Sequence, residues 1–237
     1  MPQNRRERLH DAAREEIKTT ARQLMAEEGT AAISIRAIAR RMGITAPGLY
    51  RYYKNRDAII TALIVDAYTA LGDALDTVLQ SFPAGQYAHQ FIAVAEEYRR
   101  WALAHPVDYA LIFGNPIPGY QAPPEVTSPA AQRALSPFGA IVQAAWEAGE
   151  LHPRLPDAPI DEELHCQLAA WTDRSGYTFP PHITQSFLRG WGQVQGLTTL
   201  ELYGHLQHLL DAPGRLFRAE TEAYVRQLGF VMEQVVR

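Results

Sequence analysis

The sequence predicts an all-α protein of about ten helices, with a small N-terminal domain followed by a larger helical domain. Apolar residues recur at intervals of three and four along most of the chain, the spacing that places them on one face of a helix. Glycine or proline follows most of these periodic segments, where helices usually end. No segment alternates apolar and polar residues as a half-buried strand does. The 237 residues are 47% hydrophobic and 20% charged, which is ordinary for a globular protein.

Three helices are predicted in the first 55 residues, and the second and third are short. The first helix has one apolar face and ends before Gly29. Ser34 is a suitable N-cap for a second helix that stops at Gly43. Thr45 caps a third helix, and Pro47 is tolerated there because amides in the first turn have no acceptor within the helix. Two short helices joined by a tight turn form a helix-turn-helix, the first domain of the prediction, residues 1–55.

The second predicted domain, residues 56–237, is longer and also helical. Asn55 caps a helix of about seven turns that ends near Gln80 and is long enough to connect the two domains. A loop is predicted at 114–129, because five of its sixteen residues are proline. Further helices are predicted at about 88–105, 106–113, 129–148, 161–174, 181–210 and 216–236.

The ninth predicted helix contains four glycines, each of which costs up to about 1 kcal/mol relative to alanine in a helix interior. These residues are Gly190, Gly192, Gly196 and Gly204. Close approach of another helix would compensate this cost, and a locally bent helix is the alternative. With their apolar stripes, the ninth and tenth helices are therefore predicted to form a subunit interface.

The charge distribution is uneven along the chain. Residues 1–60 contain 12 Lys and Arg against 7 Asp and Glu, whereas the remaining residues contain 10 against 19. This asymmetry favours a polyanion-binding N-terminal domain on an acidic body. No apolar run reaches the length of a membrane span, no signal peptide precedes the first helix, and the single Cys166 suits a reducing compartment. A cytoplasmic protein without a membrane partner is expected.

The segment "ISIRAIARRMGITAPGLYRYYKNRDAI", residues 33–59, resembles the DNA-binding domain of the TetR family of bacterial transcriptional regulators. The resemblance covers roughly residues 10 to 60. It implies binding to double-stranded operator DNA through positions carried over from the family. Base-edge contacts are expected from Arg36, Ala46, Pro47 and Gly48. Phosphate contacts are expected from Thr45, Tyr50, Tyr52, Lys54 and Arg56. A backbone-tracking arm containing Arg5, Arg6 and Arg8 is a further expectation.

The segments "WALAHPVDYALIFGNPIPGY" and "WGQVQGLTTLELYGHL" resemble the WHG-type C-terminal domain of some members of this family. Trp191 and Gly196 match that pattern, whereas Gln195 stands where a histidine is expected. The resemblance implies a homodimer that binds a small-molecule effector. Aromatic residues of this domain either fill its core or line the effector cavity. The candidate ligand-binding residues are Trp101, Tyr109, Phe113, Trp146, Trp171, Phe187, Trp191 and Gln195.

The sequence contains none of the phosphate-binding, nucleophile-elbow or zincin motifs that would indicate an enzyme. Two Glu-x-x-His spacings occur, but a bundle di-metal site would need two further carboxylate helices. We therefore expect no catalytic residue, cofactor or metal. The expected function is a transcriptional regulator, a repressor released from a palindromic operator by a small and largely apolar effector. An all-α enzyme or storage protein and a nucleoid-type architectural protein are the alternatives.

Overall fold

The computed structural model describes residues 5–153 and 160–231 of the chain, and in these ranges it is all-α, as the sequence predicts. A short 3-10 turn, Thr30–Ala32, follows the first helix. The ten helices of the described ranges are α1 (Arg5–Glu28), α2 (Ile35–Arg41), α3 (Ala46–Leu49), α4 (Arg56–Gln80), α5 (Tyr87–Ala104), α6 (Pro106–Phe113), α7 (Pro124–Glu147), α8 (Glu162–Arg174), α9 (Pro181–Leu202) and α10 (Pro213–Leu228).

Local capping interactions begin several helices where the sequence predicts them. Ser34 Oγ accepts a hydrogen bond of 3.1 Å from the amide of Ala37, at the start of α2. Asn55 Oδ1 accepts one of 2.9 Å from the amide of Ala58, and Asp161 caps α8 in the same way. Each cap satisfies an amide that has no acceptor within its own helix. In each of the three helices the capping side chain lies three residues before the amide that it binds, so the start of the helix is set locally.

The chain divides into two compact units. The first contains the residues up to Ala70 together with His105–Arg133, and the second contains Leu71–Ala104 and the chain from Ala134 onward. Helices α4 and α7 contribute residues to both. These two units are defined by how the residues pack. They do not test the functional division of the chain at residue 55, which remains a prediction.

Apolar side chains of α1, α2, α3 and α4 form the core of the first unit. Ile17, Ile38, Leu49, Ile59 and Leu63 are fully buried in it. The side chain of Arg22 on α1 donates to Asp108 Oδ1 on α6 at 2.8 Å, which ties α6 to the N-terminal helices. The helix-turn-helix is therefore held in place by this buried core.

In the second unit, α5, α9 and α10 pack together. Buried aromatic rings join them, with Phe91 on α5 lying 5.5 Å from the ring of Tyr224 on α10. Arg99 on α5 and Glu201 on α9 form a bidentate ion pair, in which Nε lies 2.6 Å from Oε2. Glu201 is buried, and its charge is compensated by the arginine.

Three helix boundaries differ from the sequence prediction. Helix α7 starts at Pro124 rather than near 129, since proline fits the first turn and the carbonyl of Pro123 accepts the amides of residues 126 and 127. Helix α9 ends at Leu202, so Gly204 lies outside it with a positive φ of 78° and supplies the turn. Helix α10 ends at Leu228 before Gly229, and residues 232–236 of the predicted helix lie outside the described residues.

Helix α4 has the length and composition of a membrane-spanning helix, since it has 25 residues and contains an 18-residue window with a mean hydropathy of 1.6. However, Ile59, Ile60, Leu63 and Ile64 of this helix belong to the buried core of the first unit. This part of α4 is thus packed as a core helix is.

Candidate nucleic-acid interface and aromatic clusters

Helices α2 and α3 form a helix-turn-helix whose turn depends on Gly43. This glycine has a positive φ of 67°, a conformation that residues with a side chain rarely adopt. The amide of Ile44 donates to the carbonyl of Ala39 at 3.0 Å and closes the end of α2. Thr45 is the N-cap residue of α3, but its hydroxyl makes no capping hydrogen bond. The hydroxyl is exposed and can donate to a ligand.

Five of the nine predicted DNA-binding residues are solvent-exposed on α2, α3 and the segment that follows. They are Arg36, Thr45, Pro47, Tyr50 and Lys54. Tyr50 is 54% exposed, although it directly follows Leu49, which is fully buried. The sequence folds this way because Leu49 anchors α3 to the core and leaves the opposite side to solvent. The result is a surface of basic, hydroxyl and apolar groups, the chemistry used for phosphate and base contacts.

Gly48 and Ala46 are half-buried on the same short helix. A Cβ added to Gly48 would meet only Thr45 Oγ1, at an ordinary contact distance of 3.5 Å, and φ there is not positive. Neither backbone conformation nor packing therefore requires glycine at this position. The absent side chain makes the outer surface of α3 flat, which permits close approach of a partner.

Tyr52 is half-buried, because residues of α1 pack against it. The ring of His10 lies 5.0 Å from the Tyr52 ring, and Arg14 Nη1 donates to the Tyr52 carbonyl at 3.4 Å. The Arg14 guanidinium also lies 4.4 Å from the ring of Tyr53, which is buried. Burial raises the pKa of the Tyr53 phenol. The two tyrosines thus hold the segment before α4 against α1.

Arg56 has an intramolecular partner that the sequence did not indicate. Its Nη2 donates to the carbonyl of Pro118 at 3.2 Å, and its Nε is buried with no hydrogen-bond partner in residues 5–153 or 160–231. Pro118 lies in the loop between α6 and α7, 62 positions away, which is why no local pattern reveals the contact. In this structure Arg56 is directed to that loop, and its predicted phosphate contact would require the hydrogen bond to break.

Comparison with known proteins finds a match in both the N-terminal and the C-terminal part of the chain. Residues 17–63 match the family model for bacterial regulatory proteins of the tetR family, and residues 91–224 match that for a tetracyclin repressor-like C-terminal domain. HTH-type transcriptional regulator Rv1816 of Mycobacterium tuberculosis is 32% identical over 221 residues, which cover 91% of this chain and 94% of the relative. The chain belongs to the TetR family of bacterial transcriptional regulators. The family, the helix-turn-helix and the DNA-binding class predicted from the sequence are thereby confirmed.

Solved structures agree with this assignment. The crystal structure of the regulatory protein SCO4313 has a TM-score of 0.73 and 33% identity, and the match covers 93% of this TetR-family chain and 98% of that one. A tetR-family regulatory protein from Rhodococcus RHA1 has a TM-score of 0.63, with the same coverage of both chains. At 16% identity, the second likeness supports the fold alone.

The candidate ligand-binding aromatics of this TetR-family regulator lie in both compact units. Trp191 on α9 packs against the rings of Tyr98 and Phe138, at 5.4 and 6.1 Å. Trp171 on α8 is stacked 6.3 Å from Phe187 on α9. Both of these clusters belong to the second unit, whereas Tyr109 and Phe113 on α6 lie 5.3 Å apart in the first. The eight candidates therefore do not all share one compact unit.

Burial also distinguishes these candidates. Trp101 and Tyr109 are buried, whereas Trp146, Trp171, Phe187 and Trp191 are only half-buried. The half-buried rings are accessible to a ligand without prior rearrangement.

Gln195 Oε1 accepts a hydrogen bond from the hydroxyl of Tyr98, whose ring packs against Trp191. A ligand that uses this oxygen must compete with Tyr98. One turn further along α9, Thr198 is fully buried, and its Oγ1 has no hydrogen-bond partner among the residues that the structure describes. Such an unpaired buried hydroxyl is costly, and it lies on the same helix as Trp191 and Gln195. No sequence pattern singles out Thr198, since an isolated threonine on a helix is common.

Within residues 5–153 and 160–231, no group of three or more histidine, cysteine or acidic side chains is placed so that it could hold a metal ion. The two Glu-x-x-His pairs considered for metal binding lie on different helices. Glu7 and His10 are on α1, and Glu162 and His165 are on α8.

Proposed function

We propose that this protein is a homodimeric repressor whose two helix-turn-helix domains bind a palindromic operator, and that a small, largely apolar effector releases it. In this proposal residues 1–55 read DNA, residues 56–237 bind the effector and dimerise, and the protein acts in the cytoplasm. One observation carries the DNA-binding part. The surface formed by Arg36, Thr45, Pro47, Tyr50 and Lys54 is exposed on a helix-turn-helix that is anchored by buried Leu49.

The outer side of α9 supports the proposed subunit interface. A Cβ added to Gly192 or Gly196 would meet no atom within 4 Å, so both glycines face open space in the single chain. Leu188 and Leu200 on the same helix are about two-fifths exposed. Glycines flanked by exposed leucines allow two helices to approach closely and bury apolar surface. Two copies related by a two-fold axis would then place two helix-turn-helix domains for the two half-sites of a palindrome.

The tenth helix is less suited to the interface than the sequence predicts. Its apolar residues Phe217, Tyr224, Val225 and Leu228 are already buried within the chain. Helix α8, which packs on α9 and has an exposed Leu164, is the better second member of a four-helix interface.

The effector is proposed to bind near the half-buried Trp191, with Gln195 as hydrogen-bonding partner. Aromatic walls favour an apolar or aromatic molecule, and a glutamine amide both donates and accepts without titrating. A neutral ligand with one or two polar groups fits these side chains better than a strongly charged one. Release from DNA follows if the ligand prefers the conformation in which the recognition helices are misplaced.

The decisive experiment compares Arg36→Ala and Lys54→Ala in operator binding, after genome-wide footprinting has identified the operator. Lys54→Ala is expected to weaken binding to all sequences similarly and to lower the salt slope by about 1, because one phosphate contact is lost. Arg36→Ala should cost roughly 1 to 3 kcal/mol and relax preference at particular base pairs. Arg226→Ala, which removes an exposed arginine of α10, is the charge-matched control and should bind like the parent.

The alternatives give different results. A nucleoid-type architectural protein would bind DNA without sequence preference, so both variants would change affinity without changing specificity. An all-α enzyme or storage protein would show no sequence-specific binding. The relatives are named as transcriptional regulators, which favours the repressor proposal over both.

A further inference from the structure

Three cationic side chains lie about one turn apart on the same face of α1, at positions 14, 18 and 22. Two of them form ion pairs with carboxylates of other helices. Lys18 Nζ lies 2.5 Å from Asp66 Oδ2 on α4, and Arg22 Nε lies 2.8 Å from Asp108 Oδ1 on α6. Arg14 has no carboxylate partner in the part of the chain that the structure describes. The contacts of Arg14 are therefore of another kind.

Arg14 contacts the segment between α3 and α4, residues 50–55. Its guanidinium lies 4.4 Å from the centre of the Tyr53 ring, where the ring's quadrupole attracts a cation, and its Nη1 donates to the carbonyl of Tyr52 at 3.4 Å. The amides of Tyr52 and Tyr53 both donate to the carbonyl of Leu49, at 3.0 and 3.2 Å. The segment is thus held from two sides, by α3 through its amides and by α1 through Arg14.

The side chain of Tyr52 is packed at its ring, but its hydroxyl is available. The ring of His10 lies 5.0 Å from the Tyr52 ring. None of the hydrogen bonds among the described residues uses the Tyr52 hydroxyl. A tyrosine hydroxyl can donate to a phosphate oxygen, and this is the contact that the sequence predicts for Tyr52.

We propose that Arg14 is a positioning residue for operator binding, which fixes the backbone at Tyr52 so that the Tyr52 hydroxyl meets a DNA phosphate. Arg14 itself does not contact DNA. A segment that is already ordered spares the entropy of ordering it on binding, and a hydrogen bond weakens steeply when its geometry is lost. The operator-binding step rests on the proposed repressor function, whereas the positioning of Tyr52 is a property of the protein alone.

Amide hydrogen exchange followed by mass spectrometry tests the positioning without DNA. In Arg14→Gln, peptides that contain residues 50–55 are expected to exchange about threefold faster than in the parent, because one of the two supports of the segment is lost. Arg22→Gln is the matched control, since Arg22 is also half-buried on α1 but pairs with Asp66 and Asp108 instead of this segment. Unchanged exchange in Arg14→Gln, or an equal acceleration in both variants, overturns the positioning.

Operator affinity tests whether Arg14 acts through the Tyr52 hydroxyl. Tyr52→Phe removes only this hydroxyl and should weaken binding by about tenfold, the effect of one hydrogen bond to a charged acceptor. Arg14→Gln should weaken binding by a similar factor, and the double variant should bind about as well as either single variant, because both changes remove the same contact. A loss of about a hundredfold in the double variant would mean that the two effects are independent, which overturns the proposal.

The salt dependence of binding separates positioning from a direct contact. Arg14→Gln should leave the salt slope unchanged, since a neutral hydroxyl releases no counterion, whereas a slope that falls by about 1 would show that Arg14 itself neutralises a phosphate. Operator affinity of Arg14→Gln equal to that of the parent overturns the operator-binding step. Failure of the parent to bind any operator refutes the repressor function, while hydrogen exchange still decides the positioning of Tyr52.

Discussion

Replacement of Gly190 by alanine is expected to destabilise the protein, although the same change usually stabilises a helix. Gly190 lies on α9 beneath the ring of Tyr224 from α10. A Cβ at this position would approach three ring carbons of Tyr224 more closely than 3.0 Å, a separation that real structures essentially never show. The ring cannot easily move, because Tyr224 is only 2% exposed and packs against Phe91.

The magnitude follows from the contacts that the methyl group displaces. Overpacking a core of this kind costs about 1 to 3 kcal/mol. The Tyr224 hydroxyl donates to the carbonyl of Ser186 at 3.2 Å, and loss of this buried hydrogen bond adds about 1 kcal/mol. Alanine recovers up to about 1 kcal/mol through its better helix propensity. The net expected loss is about 2 kcal/mol in the free energy of unfolding.

Urea denaturation followed by circular dichroism measures this loss, at fixed protein concentration because dimerisation would contribute to stability. Gly190→Ala combined with Tyr224→Leu is the decisive control, since a leucine lacks the ring that the methyl group strikes. The two changes together should cost less than the sum of the single changes. If Gly190→Ala is as stable as the parent, or if the two effects add, the packing of Tyr224 on this glycine is refuted.

Three further results are expected. Gly196→Leu should impair dimerisation and operator binding together, because a clash at a two-fold interface occurs in both subunits. A variant that sediments like the parent and binds DNA with the same affinity would contradict this. Gln195→Leu should weaken calorimetrically measured binding of neutral polar aromatics, and an unchanged affinity would remove Gln195 from the effector site. Burial opposes the charge on Lys18, but hydrogen bonds to Asp66 and Glu15 outweigh it and raise the Lys18 pKa above 10.5. The resulting stabilisation is present at neutral pH and is lost as pH rises through this raised pKa. Asp66→Asn should therefore lower the free energy of unfolding at pH 7 by about 2 kcal/mol and flatten its decline at alkaline pH. A pH profile of stability parallel to that of the parent would contradict this.

Much of the fold could be predicted because its signals are local. The Asn55 and Asp161 caps act on amides three residues away, and Gly43 sets its turn through its own φ. Apolar periodicity likewise predicted which face of each N-terminal helix is buried. The exposure of Arg36 follows from the same pattern, since residues off the apolar face of α2 meet solvent.

The start of α7 and the ends of α9 and α10 were less predictable. Helical periodicity continues past Leu202, yet the helix stops there and Gly204 turns the chain. Several prolines precede and follow the start of α7, and a local pattern cannot rank such competing signals. Which signal wins depends on how the following segment packs.

The sequence by itself determined the all-α class, the helix-turn-helix and its exposed surface, because each depends on residues within a few positions of one another. Tertiary structure alone decided that Gly190 accommodates the ring of Tyr224 and that Arg56 donates to the carbonyl of Pro118. It also placed the hydroxyl of Tyr120, in the loop between α6 and α7, within hydrogen-bonding distance of Thr61 on α4. Such contacts join positions 34 to 62 residues apart, and whether those positions meet depends on the packing of whole helices, which no short pattern encodes.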